Sequence, residues 1–133
     1  MKSKTIFISI LIAVIFIGGA IILFKNDKDS NNNITGLSNN VSVVNGKQII
    51  TINAKGGYLP RVTTAKAGMP TVLKMDTQGT FDCSSALTIP SLGYRANLPP
   101  SGETVIDVPP QKAGTIMRGL CAMGMYNFAV NFN

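Results

Sequence analysis

The residues of this sequence whose types and spacing could do chemistry are sulfur donors near the C-terminus. Cys121, Met123 and Met125 place one thiol and two thioethers at alternate positions over five residues. A hydrophobic core does not need sulfur at this density, whereas thiolates and thioethers together select Cu(I) or Ag(I) over Mg, Ca or Mn. The other cysteine, Cys83, lies 38 positions upstream, so a site using both thiols must be closed by tertiary structure.

The sequence contains no histidine, and this excludes several kinds of site. A blue-copper electron carrier needs two histidines beside its cysteine, and the zinc and iron sites that contain histidine are excluded as well. Catalysis has little support, because the sequence has no close carboxylate pair, no nucleophile with a neighbouring base and no phosphate-binding glycine loop. We therefore expect that the protein is not an enzyme.

Two other interpretations of the cysteines remain open. A disulfide between Cys83 and Cys121 is the ordinary expectation for two cysteines in a small exported domain. That bridge would not explain Met123 and Met125 in the same loop. The other interpretation is a pair of unpaired buried thiols.

The remaining methionines of the C-terminal part have simpler explanations. Met75 and Met117 lie in strand-like patterns, so we expect them to fill the core rather than to bind metal. Met69 precedes Pro70 in a predicted turn and is expected at the surface.

The charge is positive but diffuse. Twelve basic and six acidic residues give a net charge of +6. From Val41 onward, eight basic and four acidic side chains are spread singly, for a net charge of +4. A nucleic-acid-binding protein would instead carry a basic stripe with aromatic platforms, so we expect no nucleic-acid partner. An acidic protein partner or a membrane surface fits this charge better.

Residues 1–24 are predicted to be an N-terminal transmembrane anchor. Residues 5–24 carry no charge and would form a helix about 30 Å long, the thickness of the hydrocarbon layer. A cleaved signal peptide is the alternative, but the Gly18-Gly19-Ala20 step is followed by further apolar residues instead of a mature start. We therefore expect a single-pass protein of the cell membrane.

The flanking charges leave the orientation open. Lys2 and Lys4 favour a cytoplasmic N-terminus and an extracellular domain, whereas Lys25 and Lys28 lie just beyond the predicted span and favour the opposite. Residues 25–40 are polar and rich in asparagine, so they are predicted to be a flexible linker with a reach on the order of 20 Å.

Residues 41–133 have the pattern of an all-β sandwich. Short apolar alternations are interrupted by glycine and proline every eight to twelve residues. Residues 41–52 are predicted to form a hairpin, because Asn45-Gly46 tolerates the positive φ angles of a type I′ turn. Further strands are predicted at 61–65, 71–75, 86–89, 103–108, 113–120 and 126–132, with a turn at 56–60, a loop at 91–100 and no helix after residue 24.

This strand pattern also predicts where the sulfur atoms lie. If the strands at 113–120 and 126–132 are neighbours, residues 121–125 form the loop that joins them at one end of the sandwich. Cys83 follows the strand at 71–75 by another loop and could reach the same end. Loops on a rigid β scaffold are where binding sites are usually built.

A succession of short motifs connects this sequence to a known family. Together the motifs resemble the cupredoxin-like domains of bacterial copper handling, over about residues 47–133. With the predicted anchor, the chain is most similar to the CupA-type membrane-anchored Cu(I) chaperones. The motifs are Gly57-Tyr58-Leu59-Pro60, Lys66-Ala67-Gly68-Met69-Pro70, Asp82-Cys83-Ser84-Ser85, Ile89-Pro90-Ser91-Leu92-Gly93, Leu98-Pro99-Pro100-Ser101-Gly102-Glu103-Thr104 and Cys121-Ala122-Met123-Gly124-Met125.

The resemblance implies a fold and a ligand set. The fold is an all-β, cupredoxin-like Greek-key β-sandwich at residues 41–133, preceded by an N-terminal transmembrane helix. The ligands are Cys83 and Cys121 for Cu(I), with Met123 and Met125 as a weaker position that shares Cys83, so one or two Cu(I) ions bind and Ag(I) serves as a surrogate. A carboxylate from the first strands has been associated with such sites, but residues 41–75 contain no aspartate or glutamate.

The resemblance also implies a function. The chain would be a monomeric, membrane-anchored Cu(I) chaperone or buffer in copper resistance that passes Cu(I) to a copper-transporting P-type ATPase. Its domain would face the cytoplasm if it feeds the ATPase, and the outside if it scavenges copper. The alternatives are an electron-transfer cupredoxin, which the missing histidines disfavour, and a cell-surface structural domain with a Cys83–Cys121 disulfide.

Overall fold

The computed structural model describes residues 37–133, which form two five-stranded sheets. The predicted anchor at residues 1–24 and the predicted linker up to residue 36 lie outside the described residues. In residues 37–133, no helix is long and apolar enough to cross a membrane. In chain order the strands are β1 (Val41–Val44), β2 (Lys47–Ala54), β3 (Tyr58–Leu59), β4 (Val62–Ala65), β5 (Thr71–Gln78), β6 (Ala86–Ile89), β7 (Tyr94–Asn97), β8 (Ser101–Val108), β9 (Ile116–Cys121) and β10 (Asn127–Phe132), with 3₁₀ helices at Cys83–Ser85 and Pro90–Leu92.

The strands are arranged as a sandwich, as the sequence predicts. The first sheet has the order β1-β2-β5-β8, with β3 paired to β2, and the second has the order β4-β10-β9-β6-β7. The pairs β2 with β5 and β4 with β10 are parallel, and the other pairs are antiparallel. Alternate residues of each strand point inward, because successive side chains of a strand lie on opposite faces. The inner faces of both sheets share one core, which contains Ile50, Ile52, Leu73, Met75, Leu87, Ile89, Met117, Phe128, Val130 and Phe132.

Several local predictions are confirmed. The hairpin between β1 and β2 forms with Val44 opposite Lys47. Its turn has φ angles of 50° at Asn45 and 75° at Gly46, as a type I′ turn requires. Met75 and Met117 are buried in the core, which confirms their predicted role as filler.

Two segments predicted as turn or loop contain strands instead. Tyr94–Asn97 forms β7 within the predicted loop at 91–100, and Tyr58–Leu59 forms β3 within the predicted turn at 56–60. Both strands are short and pair on one side only. Runs of two and four residues next to glycine and proline give too little alternation to distinguish a strand from a turn or loop. Met69 differs slightly from expectation, since it is partly buried rather than exposed.

Residues 38–40, which precede β1, make polar contacts with both sheets. The side-chain amide of Asn40 donates to the Thr51 carbonyl oxygen at 3.0 Å, on β2, and to Thr63 Oγ1 at 2.9 Å, on β4. Ser38 accepts a hydrogen bond from the Thr64 N–H at 2.7 Å through its hydroxyl. Residues 38–40 are therefore part of the folded domain.

A glycine makes room for an aromatic pair in the core. Gly119 on β9 lies opposite Phe128 on β10, and the Phe128 ring occupies the space where a Cβ atom of residue 119 would stand. Phe128 packs edge-on against Tyr58, with ring centroids 5.2 Å apart and an interplanar angle of 70°. Tyr58 and Phe128 belong to different sheets, so their contact joins the two sheets. Gly119, on which the Phe128 ring lies, is two residues before the end of β9.

The substitution Gly119→Ala is expected to destabilise the fold. The added methyl group would overlap the Phe128 ring, and overpacking of this kind lowers the free energy of unfolding by about 1–3 kcal/mol. Urea unfolding of the full chain in mild detergent measures the change.

The matched control for this substitution is Phe128→Leu. In a chain that already carries Phe128→Leu the clash is relieved, so adding Gly119→Ala is expected to have a smaller effect than in the parent. If Gly119→Ala lowered the free energy of unfolding equally in both backgrounds, the Phe128 ring would not be the reason that residue 119 is glycine.

Candidate metal site

The pairing of β6 with β9 brings the two cysteines together. Cys121 is the last residue of β9 and pairs with Leu87 of β6. Cys83 begins the 3₁₀ helix that leads directly into β6. The strand register therefore places both cysteines at the same end of the sandwich, where the sequence predicted that the loops would meet.

The two thiols are in contact and are not joined by a disulfide. Both cysteines are free. The Cys83 thiol is hydrogen-bonded to the Cys121 sulfur, and this bond raises the pKa of Cys83 above the ordinary thiol value. Cys121 is completely buried, whereas Cys83 is partly exposed. One sulfur therefore belongs to the core and the other lies between the core and the surface.

The backbone of the β9–β10 loop surrounds the Cys121 sulfur with N–H donors. The Tyr126 N–H donates to Cys121 Sγ at 3.3 Å, and the backbone N–H groups of Met123 and Met125 also contribute. Burial by itself raises the pKa of Cys121, but the hydrogen bonds from Cys83 and from these N–H groups outweigh it. The pKa of Cys121 is therefore lowered, and the site favours a thiolate at this position.

The two methionines of the loop are at the surface. The exposed fraction is 80% for Met123 and 66% for Met125. Gly124, between them, has a φ angle of 71°, which permits the tight turn. Large apolar side chains gain nothing from this exposure, so packing does not account for their presence beside the cysteines. The structure thus separates a buried thiol from two exposed thioethers within five residues.

A tyrosine from the first sheet lies beneath the cysteines. The Tyr58 hydroxyl donates to the Ser84 carbonyl oxygen at 3.0 Å. Burial raises the pKa of Tyr58, and the negative charges of Cys121, Cys83 and Asp82 raise it further. Tyr58 is therefore a neutral hydrogen-bond donor that supports the Cys83 turn.

A small cleft opens beside the methionine loop. It has a volume of about 120 Å³ and is lined by Gly57, Leu59, Arg61, Met125 and Tyr126, among others. The Tyr126 ring packs on Gly57, at 3.5 Å from the position that a Cβ atom would take. The cleft gives Met125 an open side toward solvent.

Sequence reasoning did not single out Phe81, two residues before Cys83. Its exposed fraction is 84%, which is unusual for a phenylalanine. The only signal in the sequence is an isolated aromatic residue between the polar residues Thr80 and Asp82, outside any strand pattern. With Met123 and Met125 it gives this end of the domain an apolar surface.

The residues present fit a soft monovalent metal ion and do not fit a hard one. Within residues 37–133, no group of three or more histidine, cysteine, aspartate or glutamate residues could hold a metal ion. The sulfur donors Cys83, Cys121, Met123 and Met125 lie in two adjoining segments at one end of the fold, and this donor chemistry suits Cu(I) or Ag(I).

Two solved structures with a similar fold come from proteins that are described as binding copper or Cu(I). One is a copper-binding protein in its apo form, solved by NMR, with 27% identity and a TM-score of 0.63 over 70% of this chain and 94% of that chain. Another is the metal-binding domain of the Streptococcus pneumoniae D39 Cu(I)-exporting P-type ATPase CopA with Cu(I). Its identity is 24% and its TM-score 0.62, over 70% of this chain and 92% of that chain, so this likeness shows the fold alone.

The family is established by a match along most of the chain. Among curated proteins, none matches this sequence. The model of the cupredoxin-like domain, however, matches residues 13–130. This agrees with the two-sheet architecture and with the resemblance seen in the motifs around Cys83 and Cys121. The chain therefore belongs to the family of cupredoxin-like domains.

Proposed function

We propose that this chain is a membrane-anchored Cu(I)-binding protein that acts as a copper chaperone or buffer. The observation that carries the proposal is the contact between the free thiols of Cys83 and Cys121, beside two exposed methionines on one loop. Similarity in fold to a copper-binding protein supports the choice of metal. No step of a chemical reaction is assigned to these residues, and the protein is proposed not to be an enzyme.

The ligands suggest how the ion would be held and released. Cu(I) is a d¹⁰ ion and accepts two or three soft donors without a strict geometry, so it can pass between sites through shared ligands. Cys121, with N–H donors around its sulfur, would hold the ion tightly together with Cys83. Met123 and Met125 would hold it loosely, because thioethers are neutral. Cys83 stands between these two positions and would be shared by them.

The exposed end of the domain suits transfer to another protein. Phe81 lies two residues before Cys83, and Met123 and Met125 follow Cys121, so exposed apolar side chains flank both thiols in the chain. Exposed apolar side chains that gather into a patch mark contacts with partners. The partner in the proposal is the soluble domain of a copper-transporting P-type ATPase. The similarity in fold to such a domain is compatible with this choice.

The proposal includes the location of the protein. Residues 1–24 would anchor it in the cell membrane, with the cupredoxin-like domain on the cytoplasmic side, where an exporter takes up its ion and where thiols stay reduced. Protease accessibility in intact cells would show which side the domain occupies.

The first test is the loss of Cu(I) affinity on removal of either thiol. Titration of the reduced full chain with Cu(I) against a chromophoric chelator should show tight binding. Cys83→Ser or Cys121→Ser should weaken it by more than the ~10–100-fold typical of losing an outer-shell partner. Met69→Leu, at the opposite end of the fold, serves as the control and should bind like the parent. The proposal fails if both serine variants also bind like the parent.

The second test is the pH dependence of this affinity. Binding displaces protons from thiols, so acid weakens it. The pKa of Cys121 is lowered and that of Cys83 is raised. Between the two pKa values the logarithm of the apparent binding constant should therefore rise by about one per pH unit, and below the pKa of Cys121 by about two. Competition titrations from about pH 5 to about pH 9 measure the slope, after correction for protonation of the chelator.

A variant with one thiol provides the control for the pH test. Cys83→Ser retains a single thiol, so its slope should not exceed about one at any pH. A parent affinity that does not change with pH would mean that thiolates are not the ligands.

The third test separates the thioethers from the thiols. The double substitution Met123→Leu and Met125→Leu preserves apolar bulk and removes both thioethers. The double variant should lose binding of the more weakly bound Cu(I) ion and keep binding of the more tightly bound one, because both thiols are still present. Stoichiometric titration with Cu(I), repeated with Ag(I), counts the ions. Loss of the tighter equivalent would instead make the methionines primary ligands.

A further inference from the structure

Asp82 precedes Cys83, and both of its carboxylate oxygens are engaged. Oδ1 accepts hydrogen bonds from the backbone N–H of Ser84 at 2.8 Å and from the Ser84 hydroxyl. Oδ2 accepts a hydrogen bond from the Gly56 N–H at 2.9 Å, 26 positions earlier in the chain. Both carboxylate oxygens are therefore occupied by hydrogen bonds that hold the turn carrying Cys83.

The hydrogen bonds of Asp82 join the Cys83 turn to the loop that precedes β3. Asp82 caps the 3₁₀ helix at Cys83–Ser85 and reaches across to Gly56. Tyr58, two residues after Gly56, donates to the carbonyl oxygen of Ser84. The residues on both sides of Cys83 are thus each tied to the same neighbouring segment, residues 56–58. Cys83 is held from two sides while its thiol faces Cys121.

The opposite wall of the site is held by backbone groups. Residues 122–125 are exposed, and the Ala122 N–H donates to the Ala86 carbonyl oxygen at 2.9 Å and the Gly124 N–H to the Cys121 carbonyl oxygen at 2.8 Å. The N–H groups of Met123 and Met125 donate to the Cys121 sulfur, while their side chains project into solvent. Side-chain hydrogen bonds therefore hold the turn that carries Cys83, and backbone hydrogen bonds hold the loop that follows Cys121.

We propose that Asp82 is a positioning residue that fixes Cys83 for Cu(I) binding and is not itself a ligand. The inference rests on the proposed function. The Asp82 carboxylate, together with the Tyr58 hydroxyl, holds the turn in which the Cys83 thiol meets the Cys121 sulfur. Outer-shell partners of this kind orient ligands, and their loss weakens metal binding by ~10–100-fold.

The experiment compares Asp82→Ala and Asp82→Asn with the parent, using the full chain in the reduced form. Asp82→Ala removes all the carboxylate bonds, and Cu(I) affinity measured against bicinchoninate should fall by ~10–100-fold. Asp82→Asn keeps one acceptor oxygen for Ser84 but cannot accept from Gly56 through its amide nitrogen, so its affinity should be intermediate. If Asp82→Ala does not fold, Asp82→Asn is decisive.

The matched control is Gln48→Ala, at the opposite end of the sandwich. The buried Gln48 side chain bonds to the backbone of Lys66 and to Thr71, so its loss should lower the melting temperature without affecting the site. A second readout is the rate at which iodoacetamide alkylates Cys83 in the metal-free chain. This alkylation rate should change in the Asp82 variants, because the Cys83 thiol is no longer held against Cys121. In Gln48→Ala the rate should stay at the parent value.

The outcomes separate this inference from the proposed function. Parent-like affinity and Cys83 alkylation in the Asp82 variants, together with weak binding in Cys83→Ser, would overturn the positioning role and leave the proposed function intact. A loss of affinity in Gln48→Ala equal to that in Asp82→Ala would also overturn it, because general destabilisation would explain both. Parent-like binding in Cys83→Ser and Cys121→Ser would overturn the proposed function itself.

Discussion

The site depends on the register in which β6 pairs with β9. Because Leu87 lies opposite Cys121, the short helix that leads into β6 must bring Cys83 to the end of β9. A shift of one residue would reverse the faces of β9 and turn Cys121 away from the core. The register is in turn held by the core, where Leu87, Met117 and Cys121 are buried on the inward faces of these strands. The position of the thiols is therefore a consequence of ordinary sheet packing.

The same end of the fold combines two environments for sulfur. Cys121 lies in the core beside backbone N–H groups, which favour its thiolate, while Met123 and Met125 lie in water on the same loop. A fold selected only for stability would have no reason to expose both methionines and Phe81 at this end. This arrangement is understandable if the site must both retain a soft ion and give it up.

Rigidity is distributed unevenly around the thiols. Tyr58 and Phe128 pack edge-on above Gly119, and Tyr58 and Asp82 hold the turn that carries Cys83. The 122–125 loop is exposed, and its N–H groups bond to backbone oxygens and to the Cys121 sulfur. Packed aromatic residues and hydrogen bonds that reach across to the first sheet resist displacement, so the turn that carries Cys83 is the more firmly held side.

The sequence alone determined the chemistry and most of the strands. The absence of histidine and the spacing of Cys121, Met123 and Met125 restrict the metal to a soft ion, because donor type depends on residue identity and not on folding. Strands with one buried face were predicted well, since alternation is visible in one dimension. The turn at Asn45-Gly46 was likewise predictable from local backbone preferences.

Tertiary structure decided what depends on contacts distant in sequence. The edge strand β7 is only four residues long, and its backbone pairing leaves no mark on residue types. The contact between Cys83 and Cys121, the bond from Gly56 to Asp82 and the exposure of Phe81 arise from the pairing of strands far apart in the chain. The sequence supplied a set of sulfur donors, and only the packing of the two sheets placed one in the core, one at its edge and two in solvent.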